Sequence, residues 1–195
     1  AGDAEMMNLI YRNDFEGTTP FGKVIHKHAT SRITCQAVRN RREFLKNEIL
    51  EKEGKVLSLA AGPAAEIRDV IEEKGDECRY LFHALDHDIN TLKSARKLNS
   101  SKHLKYSLGN AFQILKGNTQ IARPRDFMVN FCNPSRDFKG MNKALAPLKY
   151  CIEDLKKEGY DLVYTAGLYD YIYTDTENTN RGTAGLTKNL FDLVK

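Results

Sequence analysis

The sequence predicts an α/β protein in which a doubly wound, mostly parallel sheet carries helices on both faces. From Lys55 onwards, apolar runs typical of buried strands alternate with amphipathic runs typical of helices. The first strand meets the first helix of this alternation at a turn of small residues, 60–63 (AAGP). Turns of this kind let the backbone approach a ligand. With 41% hydrophobic and 29% charged residues, the composition is that of a folded globular protein.

The segment before the sheet is predicted to be a helical cap. Residues 1–22 are polar, and we expect them to be irregular. Residues 34–52 are expected to form a helix, because their apolar side chains recur at helical spacing and Gly54 follows. The predicted organisation is therefore a cap over residues 1–54 and an α/β core over residues 55–195.

Four strands and two intervening helices are predicted in the core. The strands are KVLSLAA (55–61), RYLFHALD (79–86), LKYSLGNA (104–111) and YDLVYTAG (160–167). The helices are AAEIRDVIEEKG (64–75) and INTLKSARKLN (89–99), which connect the first three strands. Such alternation favours parallel pairing, since each helix returns the chain to the same edge of the sheet.

The region between the third and fourth strands, 112–159, is harder to assign. Residues 126–135 (DFMVNFCNPS) suit a further strand or an insertion, and residues 143–159 suit a helix. Asn133-Pro134 resembles part of the N-P-P-aromatic signature of amino-group methylation. Ser135 and Arg136 stand where the second proline and the aromatic ring would be needed. We therefore interpret this dipeptide as a turn.

Charge, cysteines and hydropathy limit the partners and the location. The net charge of +4 is diffuse and is weak evidence for nucleic-acid binding. The cysteines have no zinc-site spacing, and no apolar run approaches the length of a membrane span. We expect a cytoplasmic protein with a small-molecule substrate, no membrane or nucleic-acid partner and no bound metal, and leave a homo-oligomer open. The cysteines are Cys35, Cys78, Cys132 and Cys151.

Three features fall at the carboxyl ends of predicted strands, where open parallel sheets bind their ligands. They are the turn at 60–63, Asp86, and the dipeptide Asn110-Ala111. A carboxylate after the second strand can accept hydrogen bonds from both ribose hydroxyls of an adenosine. Nicotinamide dinucleotides and S-adenosylmethionine both fit this layout. Pro63 disfavours the dinucleotide, because it removes an N–H that a pyrophosphate would need.

Taken together, these segments resemble class I S-adenosylmethionine-dependent methyltransferases. VLSLAAGPAAEI, LDHD, LGNA and YDLVYTAGLYDYI match motifs I to IV in order, from Lys55 towards the C-terminus. The likeness is to a bacterial branch with a helical N-terminal segment and an A-G-P-x-x-E form of motif I. The resemblance implies a Rossmann-like core, S-adenosylmethionine as cofactor and methyl transfer to an unidentified small acceptor.

The resemblance also implies roles for individual residues around the cofactor. The turn would line the methionine side of the cofactor, and Asp86 would hold the ribose. The residues beside the adenine and under the sulfonium would come from the ends of the other strands. Glu66 would bind the cofactor's ammonium group or cap its helix, and both readings stay open. The cofactor positions are Ala60, Ala61, Gly62, Glu66, Asp86, His87, Asn110, Ala111, Thr165, Ala166 and Gly167.

The catalytic candidates follow the fourth strand. Asp170 would be a general base for an acceptor that is protonated at the working pH. Tyr169 and Tyr171 would form the wall around the acceptor. Each also has a purely structural reading, as a turn residue or as packing.

The chain departs from the family pattern in two places. Ser58 replaces the usual acid near the end of the first strand, and alanines replace two glycines of motif I. The C-terminal strands of the family are apparently missing, which suggests a fragment, an incomplete chain or strands borrowed from a partner. These departures motivate a second hypothesis, a non-catalytic S-adenosylmethionine-binding sensor or partner subunit. A nicotinamide oxidoreductase is the third.

Overall fold

The computed structural model describes residues 2–115, 120–122, 148–150, 152–167, 190–191 and 193–194. Three helices come first, and strands and helices then alternate. The helices are α1 (Gly2–Arg12), α2 (Pro20–Thr30), α3 (Ile33–Glu51), α4 (Ala65–Lys74), α5 (Ile89–Leu98), α6 (Ala111–Leu115) and α7 (Ile152–Glu158). The strands are β1 (Lys55–Leu59), β2 (Leu81–Asp86), β3 (Leu104–Leu108), β4 (Gln120–Ala122), β5 (Leu148–Tyr150) and β6 (Leu162–Thr165).

Four of these strands form a parallel sheet in the order β3-β2-β1-β6. The chain moves outward from β1 to β3 through α4 and α5, and then returns to place β6 on the other side of β1. The strand order therefore reverses at β1, as in doubly wound folds. β4 and β5 pair antiparallel in a separate two-stranded sheet. The predicted α/β class and the four predicted core strands are confirmed.

Both faces of the sheet are covered, because successive side chains of a strand point to opposite sides. Val56 packs in one buried cluster with residues of α3, α4 and α5. Leu57 and Leu59 pack in a second cluster with residues of α6 and α7. β1 is thus buried on both sides, which explains its nearly continuous apolar sequence.

The prediction that residues 1–22 are irregular is wrong, since α1 and the start of α2 lie within them. Thr19 caps α2 by accepting a hydrogen bond from Gly22 N at 3.0 Å, and Pro20 occupies the first turn. α1 is held by α3: Arg39 Nη1 donates to the Ile10 carbonyl at 3.1 Å. This tertiary contact stabilises a helix that the local sequence pattern does not predict.

The prediction of one helix over residues 143–159 is also wrong in part, because β5 ends at Tyr150 and α7 begins only at Ile152. Pro147 accounts for the difference: it has no N–H and disfavours a helix running through it. The segment 126–135, with Asn133-Pro134, lies outside the described residues. The division into a cap and a core stays a prediction.

Two further expectations concern cysteines and membrane segments. Cys35 and Cys78 are free thiols, whereas Cys132 and Cys151 lie outside the described residues. In the part of the chain that the structure describes, no helix is both long and apolar enough to cross a membrane.

Core packing at β1 gives a direct test of the fold. Leu57 is fully buried, so Leu57→Ala should lower the free energy of unfolding by about 2–5 kcal/mol. Leu98→Ala is the control, because Leu98 is 54% exposed and its loss should cost less than about 0.5 kcal/mol. Chemical denaturation followed by circular dichroism measures both values. Equal costs for the two variants would contradict the packing described.

Candidate functional site

The carboxyl ends of the four parallel strands meet along one edge of the sheet, here called the carboxyl edge. It consists of the residues that end or follow β1, β2, β3 and β6, namely 60–64, 86–88, 109–111 and 165–167. The register places Leu59 beside both Leu85 and Thr165, and Asp86 beside Leu108. The positions that the resemblance assigned to a cofactor therefore lie on neighbouring strand ends, apart from Glu66 on the first turn of α4.

The turn after β1 has an unusual backbone. Ala60, Gly62 and Ala64 all have left-handed φ angles, of 54°, 56° and 47°. A left-handed conformation costs an alanine roughly 1–2 kcal/mol, so surrounding contacts must hold it. Two hydrogen bonds do so, from Ala61 N to the Leu85 carbonyl and from Ala64 N to the Ala61 carbonyl, both at 3.0 Å. The alanines thus adopt backbone conformations that glycine reaches at lower cost.

Asp86 ties the turn to the rest of the edge. Its side chain is buried, and its two oxygens accept hydrogen bonds from Gly62 N at 2.8 Å and Asp88 N at 2.9 Å. Its backbone carbonyl accepts from Gly109 N at 2.9 Å. One residue therefore connects the segments after β1, β2 and β3. Each carboxylate oxygen can accept more than one hydrogen bond, so the group retains acceptor capacity.

The turn is open on the side of Gly62. Among the described residues, no atom lies within 4 Å of a Cβ placed on this residue. A ligand can therefore approach the backbone beside Asp86. The sequence signal for this opening was the single glycine of the turn.

The other predicted cofactor positions fall where expected along the edge. His87 is exposed, with Nδ1 at 3.5 Å from Asp86 Oδ1, and Asn110 is half-buried. Ala111 is buried at the start of α6, and Thr165 ends β6. Ala166 and Gly167 follow it and are half-buried. Tyr169, Asp170 and Tyr171, the catalytic candidates, lie outside the described residues.

Glu66 makes a contact that sequence reasoning missed. Its side chain is buried, and its Oε1 accepts a hydrogen bond from the Tyr164 hydroxyl at 2.7 Å. Burial raises the pKa of Glu66, and burial together with the nearby Glu66 carboxyl raises the pKa of Tyr164. Ser58 lies beside Tyr164 in the register of β1 and β6, and its side chain is fully buried. The sequence offered one signal for this arrangement: side chains alternate along a strand, which puts Ser58 and Tyr164 on the same face of the sheet.

The N-terminal helices reach this carboxyl. Burial and the charge of Glu66 raise the pKa of Tyr11, in α1, to about 12. The Arg42 guanidinium of α3 lies 4.9 Å from the centre of the Tyr11 ring and donates from Nε to Asp69 of α4 at 2.7 Å. α1 and α3 are thus fixed against the beginning of α4, close to the carboxyl edge.

The opposite edge of the sheet holds a cavity of about 260 Å³. Polar side chains at this cavity are hydrogen-bonded to protein groups: the buried His83 contacts Ser107 Oγ at 2.7 Å and the Tyr160 hydroxyl at 2.6 Å. That hydroxyl donates to Glu158 Oε2, and Lys105 donates to Glu158 Oε1. A hydrogen bond from His83, together with those from Lys105 and Tyr160, holds the pKa of Glu158 well below its usual range. We interpret the network as structural, and none of the predicted site positions belongs to it.

The described ranges contain no cluster of three or more His, Cys, Asp or Glu side chains that could hold a metal ion. His26 and His28 form an H-x-H pair in the sequence, but both lie on α2. Alternate residues share a face on a strand and not on a helix. The two imidazoles therefore lie on different sides of the helix and do not form a shared metal site.

Comparisons with known proteins bear on the fold. No protein-family model and no curated protein matches the sequence. A crystal structure of a possible exported protein from Bordetella parapertussis is 15% identical, with a TM-score of 0.60 over 98% of this chain and 50% of that one. The chain therefore spans about half the length of that structure, with which it shares the fold. The plantazolicin methyltransferase BamL, in complex with a triazolic desmethylPZN analogue and SAH, matches 57% of this chain and 42% of its own at 15% identity and a TM-score of 0.31.

The buried carboxyl of Glu66 predicts a pH dependence of stability. Because its pKa is raised above 4.5 in the folded chain, its contribution to stability is complete below pH 4.5 and is lost as the pH rises through the folded pKa. Glu66→Gln should remove this loss. The free energy of unfolding of the variant should therefore fall less with rising pH than that of the wild type. Glu72→Gln, an exposed position of α4, is the control. Denaturation at a series of pH values measures the slopes, and equal slopes for wild type and Glu66→Gln would contradict the burial.

Proposed function

We propose that the carboxyl edge binds S-adenosylmethionine and that the chain is a methyltransferase acting on a small molecule. The observation that carries this proposal is the pairing of Asp86 with Gly62. A buried carboxylate with spare acceptor capacity lies directly beside an open position of the turn. An adenosine ribose bound there would donate its two hydroxyls to Asp86.

The hydrogen bonds of the turn favour this cofactor over a dinucleotide. The N–H groups of Ala61, Gly62 and Ala64 are all donated within the protein, and Pro63 has none. A pyrophosphate would need these donors, whereas S-adenosylmethionine carries no phosphate. The turn thus suits a ligand that contacts backbone and carboxylate without an anion cradle.

Glu66, Tyr164 and Ser58 are proposed to serve the methionine end. The cofactor's ammonium is a cation with three donors, and the buried carboxyl of Glu66 would bind it by a charge-assisted hydrogen bond. Ser58 stands where the family has an acid, and Glu66 supplies a carboxyl on the same face of the sheet from α4.

Bound at this edge, S-adenosylmethionine would supply an electrophilic methyl group on its sulfonium. The chain's own task is then to align an acceptor and keep water out, effects that lower a barrier by roughly 7–11 kcal/mol. We assign Asp170 as the base for a protonated acceptor, and Tyr169 and Tyr171 as the wall around it. His87, Asn110 and Ala111 would contact the adenine, and 165–167 would lie under the sulfonium.

A binding module without catalysis is the second candidate, and the loss of the usual acid at Ser58 favours it. Formation of S-adenosylhomocysteine from the cofactor with an acceptor pool separates the two, since a sensor would bind without turnover. A cytoplasmic location belongs to the proposal, and the free thiols Cys35 and Cys78 are consistent with a reducing compartment.

Removing the charge of Asp86 tests the ribose contact. Asp86→Asn should weaken the binding of S-adenosylhomocysteine by about 10–100-fold, because charge-assisted hydrogen bonds are lost. Asp161→Asn is the matched control: Asp161 also accepts from a backbone N–H, that of Lys55 at 2.7 Å, but at the other edge of the sheet. Isothermal titration measures the affinities, with NADH as a ligand expected not to bind. Wild-type affinity in Asp86→Asn would exclude the ribose contact, and saturable NADH binding would favour the dinucleotide.

Filling the open side of the turn tests the position of the ligand. Gly62→Ala adds a methyl group that contacts none of the described residues, at a φ of 56°. Gly75→Ala is its control, since Gly75 has a φ of 51° and equal space at the end of α4. Gly62→Ala should destabilise the fold by about 1–2 kcal/mol, and Gly75→Ala should cost more, because its ψ of −127° lies outside the left-handed helical region. Only Gly62→Ala should weaken S-adenosylhomocysteine binding in the same titration, and equal affinities would place the ligand elsewhere.

A further inference from the structure

α2 carries its apolar face outward. Phe21, Val24 and Ile25 share one side of this helix by their spacing, and they are 75%, 56% and 52% exposed. Large apolar side chains at this spacing normally face the interior of a protein. We call these three residues the α2 apolar face.

Polar side chains on the other side of α2 fix this orientation. Lys27 Nζ donates to the Asn13 carbonyl at 2.8 Å, and His26 Nδ1 lies 3.1 Å from the Asp14 carbonyl oxygen. Thr30, on the same side of the helix, is buried. Turning the apolar face inward would break the contacts of Lys27 and His26 with the segment after α1. The outward orientation is therefore a built feature of the N-terminal helices.

The charge around this face has one dominant sign. Residues 17–42 contain no Asp or Glu but six basic residues, more positive charge than the net +4 of the whole chain. Lys23 at the beginning of α2 and Arg32 just after its end are both exposed. The nearest acids along the chain, Asp14 and Glu16, lie on the preceding loop, and Glu16 is paired with Arg12. The basic residues are Lys23, Lys27, Arg32, Arg39, Arg41 and Arg42.

We propose that the α2 apolar face docks the chain on an anionic lipid surface. Helices that lie in a membrane interface insert an apolar face with aromatic and aliphatic side chains, while nearby basic residues attract anionic headgroups. Two copies joined through this face would bring two basic segments together, which disfavours self-association. The sequence-based expectation of no membrane partner rested on the absence of a spanning run, and surface docking needs none. The proposal is independent of methyl transfer.

Co-sedimentation with lipid vesicles tests the proposal on the full chain. Wild type should sediment with vesicles of equal parts phosphatidylcholine and phosphatidylglycerol, and much less with phosphatidylcholine alone. Phe21→Ser combined with Ile25→Ser should lower the affinity at least about tenfold, since two apolar side chains no longer insert. Lys23→Glu should also weaken binding to the anionic vesicles and not to the neutral ones.

Phe44→Ser is the matched control, because Phe44 on α3 is 61% exposed and lies outside the α2 apolar face. It should bind vesicles as wild type does. Equal thermal unfolding of all variants would show that lost binding is not lost folding. The proposal is overturned if wild type ignores anionic vesicles, or if the double variant binds them fully. It is also overturned if light scattering finds a wild-type dimer that the double variant converts to a monomer, since a second copy would then cover the face.

Discussion

The carboxyl edge depends on the contact between the Asp86 carboxylate and the amide of Gly62. This bond joins the turn after β1 to the end of β2, while the Asp86 carbonyl joins both to the segment after β3. It lies within the turn in which two further backbone hydrogen bonds, from Ala61 and Ala64, hold alanines in left-handed conformations. The same group that organises the edge is the one that a ribose would contact. Structural and binding roles therefore cannot be separated by removing the residue altogether.

A second constraint comes from the buried carboxyl of Glu66. A carboxyl in this position must be hydrogen-bonded or neutral, since an unpaired buried charge is costly. Tyr164 supplies the bond, and the N-terminal helices close over it through Tyr11. The cap and the sheet are thus connected at the point where the methionine end of a cofactor would lie. An ammonium group arriving there would favour the ionised form of the carboxyl.

The two edges of the sheet differ in how their polar groups are satisfied. At the opposite edge, where the parallel strands begin, His83, Tyr160 and Glu158 are hydrogen-bonded to one another beside the cavity. At the carboxyl edge, the Asp86 carboxylate accepts two backbone hydrogen bonds and retains acceptor capacity. Buried polar groups with unused capacity are the exception in folded proteins, and they point to a ligand. This contrast, rather than the size of a cavity, distinguishes the candidate site.

The sequence by itself determined the local features. The apolar runs at β1, β2, β3 and β6, the turn between β1 and α4, and the place of Asp86 at a strand end follow from patterns within a few residues. Tertiary structure decided the rest. α1 forms because Arg39 of α3 holds it, the Glu66–Tyr164 bond joins residues far apart in the chain, and α2 faces outward because its polar side chains bond to the preceding segment. These features depend on contacts between distant segments, and the period of a hydrophobic pattern carries no information about which segments meet.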